Sequence, residues 1–294
     1  MKLIKPSFLI KEQEPGLEGI YKQIEWAGRH CYKSLDKITE DSAKEFVDRM
    51  IKSGHGAMLE HGTVYLAIPI SEWRCTDDYR DSYISNPYSN VNDSLVDWEN
   101  NEGTVYITTN LRVLVENGWL DDLQYICEPT EYHEKRITVK FTTDQGILRE
   151  FTRHRVFSFA VESTRYCNYT KDKFSNEITF IQPNWISDED VKDYHINYNY
   201  FIDQDTNHIT AVNRFMSALK NAEYFYMELI KLGWKPQQAR NILPLATKCD
   251  MVMTGFVSDW KHFFELRDAA SAHPQAQELA HSLHETFIQR GLIE

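Results

Sequence analysis

Residues 149–166, REFTRHRVFSFAVESTRY, hold Arg149, Arg153, Arg155 and Arg165 against Glu150 and Glu162. This is a local excess of positive charge in a chain of 294 residues whose formal net charge is −12. Each guanidinium offers fixed planar donors suited to phosphate or carboxylate, so the segment is a candidate anion site. Its pattern suits neither regular element. Positions 153, 155, 157, 159 and 161 read Arg, Arg, Phe, Phe, Val, mixing charge with large apolar groups on one strand face, and a 3.6-residue repeat sorts them no better. An irregular, arginine-rich segment near the middle of a chain reads as a site more than as a framework. The alternative is that these arginines pair with the chain's own acidic residues.

Two further arginines stand in apolar company. Trp260, Phe263, Phe264 and Arg267 fall at i, i+3, i+4 and i+7 on one face of a helix that Ser258 or Asp259 can cap. A cation on such a stripe needs a partner or a ligand, or must reach past it to water. Arg240 sits similarly among Ala239, Ile242, Leu243 and Leu245. His55 and His61 lie in SGHGAMLEH, but HExxH is absent and the inverted HxxEH fails at Ala57, so no metal site is expected. There is no GxGxxG, no GxxxxGK[ST] and no GxSxG. The five cysteines, Cys31, Cys75, Cys127, Cys167 and Cys249, are scattered without a CxxC pair, which favours a reduced compartment and no thiol nucleophile.

The elements that position these groups are partly legible. The spacing predicts a helix over 39–54, capped by Thr39 and ended by Gly54, then a strand over 63–70 and a matching strand over 136–142. Between them, residues 71–136 carry 14 acidic and 5 basic side chains, with a strand-like TVYITT at 104–109 and a helical LRVLVENGWL at 111–120. This reads as a folded acidic insertion between two neighbouring strands rather than a linker. A second acidic stretch covers 186–205. An amphipathic helix follows from Ile209 to Ile230, stopped by Gly233, then a helix over 236–243 and a last helix opened by His273 and Pro274. The expected organisation is α+β, with a central mostly antiparallel sheet and flanking helices: strands in the middle, helices at both ends. The whole of 1–294 is expected to be one domain.

Composition sets outer limits. The chain is 42% hydrophobic and 26% charged, ordinary for a globular protein and unlike a disordered one. Its acidity argues against general binding to nucleic acid or anionic membrane. The apolar runs are too short to span a bilayer, and the first residues lack the apolar stretch of an export signal, so a cytoplasmic location is expected.

RHRVFSFAVESTRY (153–166) resembles the signature RHRxxSxxxxSxR of the flavin-dependent thymidylate synthases, with Arg153, His154, Arg155, Ser158, Ser163 and Arg165 at the fixed positions and Tyr166 after them. GHGAMLEH (54–61), PQQARNILPL (236–245) and HFFELR followed by AQE resemble further segments of that family, in order along nearly the whole chain. The excess is the acidic insertion. The resemblance implies a family-specific fold and reductive methylation of dUMP to dTMP, with FAD as hydride carrier, NADPH as reductant and 5,10-methylenetetrahydrofolate as one-carbon donor. It also implies a homotetramer with shared active sites, in which the insertion would decorate the outside or the subunit contacts.

Carried over by position, Arg153, His154 and Arg155 would hold the flavin, with Arg153 also near the nucleotide. His55, Ala57, Val161 and His262 would be further flavin contacts. Ser163, Thr164 and Arg165 would lie against dUMP, and Arg240 would bind it. Arg267 would sit over the uracil as the catalytic cation, a role that suits a fixed charge in a dry site. Ser163 has no adjacent base in sequence, so it reads as a positioning group. Glu150 stands at a dUMP-contact position where the family often has Gln, and a carboxylate does not donate to a uracil carbonyl unless protonated. The family's Asn-Glu falls at Ala160 and Val161, its Asn-x-Arg at Phe256 to Ser258, a later Asn at His262, and its C-terminal His at His273. Two other readings stay open: a different flavin- or folate-dependent nucleotide-modifying enzyme, and a non-enzymatic module whose arginines bind the chain's own acidic insertion or an acidic partner.

Overall fold

The computed structural model describes residues 1–73, 83–165, 168–170, 176–192 and 210–294; Cys75, Tyr166, Cys167 and Ile209 lie outside them, as do parts of both acidic stretches. The strands are β1 (Lys2–Ile4), β2 (Ser7–Lys11), β3 (Thr63–Pro69), β4 (Asn90–Asn92), β5 (Thr104–Asn110), β6 (Arg136–Asp144), β7 (Ser158–Val161), β8 (Thr179–Ile181) and β9 (Lys248–Phe256). The main sheet runs β2-β6-β9-β7 and is antiparallel throughout. The α+β class with antiparallel sheets is as expected. The strands are not confined to the middle, however: β2 comes from the N-terminus and β9 from near the C-terminus.

Alternation along β6 and β9 divides the main sheet into two chemically different faces. Val139, Phe141, Met251 and Met253 enter an apolar core with Trp260 and Phe263 of α9 (Val257–Arg267) and Leu279 and Leu283 of α10 (Pro274–Gln289). The register sets Thr138 opposite Thr254 and Thr142 opposite Asp250 on the other face. That face is polar, and α1 (Gly16–Tyr32) packs over it. His61 is wholly buried there and bonds Thr254 Oγ1 at 2.8 Å. Burial and the Arg136 charge pull its imidazole down to about 3. The sequence reading missed α1 because Gln23, Glu25, Arg29 and His30 lie buried on it. Glu25 and Arg29 are matched at i, i+4, with an Nη2–Oε1 distance of 2.9 Å. At Gly28 a Cβ would come within 2.4 Å of the Phe46 ring, so glycine lets α1 lie against α2 (Ser42–Lys52).

The second sheet, β3-β5-β4, corrects the expectation that the strands near 63–70 and 136–142 are neighbours. β5, from the acidic segment, takes the place beside β3, while β6 joins the main sheet. The strand and helix expected at 104–109 and 111–120 are present as β5 and α4 (Leu111–Asn117); Asn110 caps α4 and Gly118, at φ 72°, ends it. Val105, Ile107 and Leu114 are buried with Ile20, Ile24, Phe46 and Val64. The described part of the acidic segment therefore completes a core rather than decorating the surface.

The short parallel pair β1-β8, followed by α6 (Asp188–Lys192), carries a third cluster, where Phe180 meets Leu219 and Tyr226 of α7 (Ala211–Lys231) and Ala239 of α8 (Pro236–Ala239). Helix ends moved from expectation in three places. Thr39 does not cap α2; its N–H donates to Ser42 Oγ at 2.9 Å. Neither Ser258 nor Asp259 is the N-cap of α9, which starts at Val257, where Asp259 accepts from Phe256 N–H at 3.1 Å. The helix expected over 236–243 is α8 followed by a 3-10 turn, Arg240–Ile242. His273 caps α10 as expected, its Nδ1 accepting from Gln275 N–H. Among the described residues, no helix is long and apolar enough to cross a membrane.

Candidate functional site

The site is organised by α5 (Gln145–Phe151), which Asp144 caps by accepting from Gly146 and Ile147 N–H at 2.7 and 2.8 Å. Phe151 packs edge-on against Phe141 and Phe263, with centroids 5.1 and 5.0 Å apart. With Ile147, Leu148 and Phe151 buried, the helix leaves Arg149 exposed and Glu150 half-buried. The chain then turns so that His154 packs at a tilt against Phe263, with centroids 5.0 Å apart, and meets the end of α9.

Arg267 is held there by three bonds. Nε donates to His154 Nε2 at 3.0 Å, Nη1 to Glu150 Oε2 at 2.8 Å and Nη2 to the Glu150 carbonyl at 2.8 Å. The cation on the apolar stripe is thus partnered, as the sequence required, and Glu150 is the partner that sequence reasoning did not assign. A guanidinium only donates, so His154 Nε2 is the acceptor and the ring is the neutral Nδ1–H tautomer. Burial, reinforced by the Arg267 and His262 charges, pulls His154 down to about 4. His262 lies 6.5 Å from His154 between centroids, exposed, with Nδ1 3.1 Å from Glu265 Oε2.

A second group gathers on the neighbouring side of α5. Arg240 Nη1 donates to Thr164 Oγ1 at 3.1 Å, and the two line a cleft of about 310 Å³ with Arg149, Gln145 and Asn241. Arg149 was noted only as part of the basic island; its place beside Arg240 follows from the adjacent position of Glu150 on α5. Ser163 Oγ accepts the Arg165 N–H at 3.4 Å.

Arg153 and Arg155 are exposed in the turn before β7 and form no ion pair among the described residues. They therefore do not pair with the described part of the acidic segment. The reading of 149–166 as wholly irregular is corrected in part: Ser158–Val161 is β7, alternating buried and half-buried. Ser158 Oγ accepts from Arg136 Nη2 at 3.2 Å, and the Val161 carbonyl accepts from Cys31 Sγ at 2.8 Å. His55, just before α3 (Gly56–Leu59), and Ala57, within it, are exposed, and α3 packs on β7; His55 Nδ1 is 3.3 Å from Tyr32 Oη.

A buried charge quartet anchors the chain just before Ser163. Glu162 accepts from Lys33 and Lys248 at 3.0 and 2.9 Å, and both lysines also reach Asp250. Glu162 and Asp250 further exchange backbone bonds, Asp250 N–H to Glu162 Oε2 at 3.0 Å and Glu162 N–H to Asp250 O at 2.8 Å. Burial opposes the Asp250 charge, but Lys248 and Lys33 outweigh it and hold the carboxyl well below its ordinary range. Burial also opposes the Lys33 charge, and Glu162 with Asp250 reverses that and raises it. The sequence signal was present: Lys248 and Asp250 interrupt an otherwise apolar strand, and a buried charge needs a partner.

The family described as thymidylate synthase complementing protein matches residues 129–290. That span holds Arg153 to Arg165, Arg240 and Arg267, and leaves His55 and Ala57 outside. A flavin-dependent thymidylate synthase of Synechocystis sp. is 27% identical over 154 residues, 52% of this chain and 66% of the relative. One of Halobacterium salinarum is 28% identical over 156 residues, 49% and 59% of the two chains. The chain thus spans just under two thirds of the length of the first of these relatives. A crystal structure of the UMP/dUMP methylase PolB from Streptomyces cacaoi superposes with a TM-score of 0.43 at 17% identity, covering 98% of this chain and 93% of that one. By the match across more than half of its length, the chain belongs to the thymidylate synthase complementing protein family.

Proposed function

We propose that this protein is an FAD-dependent thymidylate synthase. It would convert dUMP, 5,10-methylenetetrahydrofolate, NADPH and a proton into dTMP, tetrahydrofolate and NADP⁺. The observation that carries the reading is the contact between segments recognised separately in sequence: Arg267 from the C-terminal helix donates to His154 inside the signature, and Arg240 donates to Thr164 inside it. The relatives named as flavin-dependent thymidylate synthases support the same reading.

In this reading Arg240, Thr164 and Arg149 form the phosphate end of the dUMP site, with Ser163, Arg165 and Arg153 beside it. Arg267 faces the pyrimidine and stabilises negative charge on it, and neutral His154 fixes the guanidinium without adding charge. FAD, when bound, supplies the hydride. The residues fit a pyrophosphate-bearing cofactor at Arg153–Arg155, where two exposed guanidiniums flank His154. They do not fit it at 256–258: Phe256 N–H is taken by Asp259, and Ser258 N–H donates to Glu134 Oε1 at 3.1 Å. The flavin reading therefore rests on Arg153–Arg155, with His55, Ala57, Val161 and His262 as additional contacts. We further propose a single domain incorporating the acidic segment, a cytoplasmic location, and a homotetramer. The exposed Tyr224, Phe225, Leu232 and Trp234 around the end of α7 support the last.

The test is a visible absorption spectrum of the purified protein, repeated anaerobically with NADPH, followed by dTMP formation from dUMP. Bound flavin that bleaches, with dTMP formed only when the folate is present, is the expected result. No flavin after adding excess FAD overturns the reading. One observation favours a second reading, a related nucleotide-modifying enzyme: the Glu150 carboxylate is engaged by Arg267. Turnover of UMP or dCMP in preference to dUMP would select it.

A further inference from the structure

Arg267 is the last residue of α9, and the end of a helix is where the backbone is least fixed by its own hydrogen bonds. The residue that follows is pinned from α10. Asp268 N–H donates to the Phe264 carbonyl at 2.8 Å, closing the last turn of α9. Gln277 Nε2 donates to the Asp268 carbonyl at 3.3 Å. His281 Nδ1 lies 3.0 Å from Asp268 Oδ1, and His284 Nδ1 lies 2.8 Å from Oδ2. Positions 277, 281 and 284 fall at i, i+4 and i+7, so one stripe of α10 supplies all three side chains.

An ionised carboxylate only accepts, so both imidazoles donate from Nδ1. With one donor on each oxygen, the Asp268 side chain has a single orientation, turned to α10 rather than to the neighbouring Arg267 guanidinium. His284 is the firmer arm. It is 32% exposed against 59% for His281, and its ring lies parallel on Phe264 with centroids 4.5 Å apart. Arg267 is therefore held at both ends by different parts of the fold. Its guanidinium is set by Glu150 and His154, and its main chain by Asp268 and α10.

We propose that Asp268, gripped by His281 and His284, is a positioning residue for Arg267 in the reaction. The role rests on the function proposed above. Stabilisation by a fixed charge requires that the charge already stand where negative charge will develop. A displacement of about 1 Å can cost on the order of 10²-fold in rate, and the end of α9 sets where the Arg267 side chain starts.

Steady-state dTMP formation by the flavin-saturated protein tests this. Asp268→Ala should lower kcat and kcat/KM for dUMP together by about ten- to a hundredfold, with FAD affinity within about twofold. His284→Ala should reproduce more of that loss than His281→Ala. In an Arg267→Ala background, Asp268→Ala should change the residual turnover by less than about twofold, because no guanidinium remains to be placed. A merely structural role would carry the same loss into both backgrounds. Ser282→Ala, which removes only a bond within α10, should leave kcat within about twofold. Near-UV circular dichroism verifies folding, and His284→Ala takes the place of Asp268→Ala in the cycle where the latter is not folded. No dTMP formation by the unaltered protein would refute the proposed function and this role with it. With turnover by the unaltered protein established, four results would each overturn the role alone: unchanged kcat in both Asp268→Ala and His284→Ala, equal losses in the two backgrounds, a parallel loss of FAD affinity, or an equal loss in Ser282→Ala.

Discussion

The Arg267–Glu150 pair can be weighed by a double-mutant cycle. Glu150→Ala removes one of the three Arg267 bonds, the charge-assisted contact at 2.8 Å, and leaves those to the Glu150 carbonyl and His154. Hydrogen bonds to charged groups contribute about 1.5–3 kcal/mol. Side-chain exposures of 17% for Arg267 and 33% for Glu150 allow water to screen part of this, so about 1–2 kcal/mol is expected. Arg267→Ala removes all three bonds and strands a half-buried carboxylate, for about 2–4 kcal/mol. The double variant should then be little worse than Arg267→Ala alone, a coupling of about 1–2 kcal/mol. Glu150→Gln, which keeps a neutral acceptor, should recover part of the Glu150→Ala loss. Urea unfolding at fixed protein concentration and low salt measures all of these. Additivity within about 0.3 kcal/mol would show that the pair does not form in solution and would refute the argument. The same Arg267→Ala protein should retain flavin while dTMP formation falls by about 10²–10³. Near-normal turnover would remove Arg267 from the chemistry.

Three further outcomes follow from the buried charges and the packing. His30, His61 and His154 are held neutral by burial, at about 4, 3 and 4. The unfolded chain binds more protons below about pH 6.5, so stability should fall with pH by up to about 1.4 kcal/mol per unit for each histidine; urea midpoints flat from pH 7 to 5 would contradict this. Asp250 acts in the opposite sense: held charged, its contribution persists across that window and is lost only as pH falls below its ordinary value of 3.8. Lys248→Met leaves two buried carboxylates sharing Lys33 and should destabilise by about 3–5 kcal/mol, whereas Lys44→Met, at an exposed pair, should leave the urea midpoint nearly unchanged; similar midpoints for the two variants would refute the contrast. Gly255→Ala would set a Cβ 2.4 Å from the Phe157 ring, itself packed on Trp260, and should lower stability by about 1–3 kcal/mol in the same assay.

Some features set by local partners were legible in the sequence, although the caps at Thr39 and Ser258 or Asp259 were misplaced. His273 opens α10, the strand at 104–109 and the helix starting at 111 are present although the helix ends at Asn117 rather than 120, and the apolar stripe of α9 exposed Arg267 as an anomaly. α1 was not legible because Gln23, Glu25, Arg29 and His30 interrupt its buried face, and Glu25 is matched both within the helix, by Arg29, and from outside it, by Ser42 Oγ at 2.8 Å. The neighbour of β3 was misjudged for a related reason. Alternation reveals that a strand has a buried face but carries no information on which strand lies beside it.

The candidate site divides in the same way. Sequence alone determined which residue types are concentrated at 149–166, that Arg240 and Arg267 need partners, and which family the signature resembles. The tertiary structure decided that Glu150 holds Arg267, that His154 is a neutral acceptor, and that Arg149 and Arg240 line one cleft. It also decided that Arg136 is buried, with its guanidinium bonded to the Glu60 carbonyl and to Ser158 Oγ. The physical reason is that a charge's behaviour depends on burial and on partners within a few ångströms. In this chain those partners come from positions 113 to 217 residues apart for Arg267 with His154 and Lys33 with Asp250. Spacing along the sequence does not encode such distances; the packing of α1 and α9 on the two faces of one sheet does.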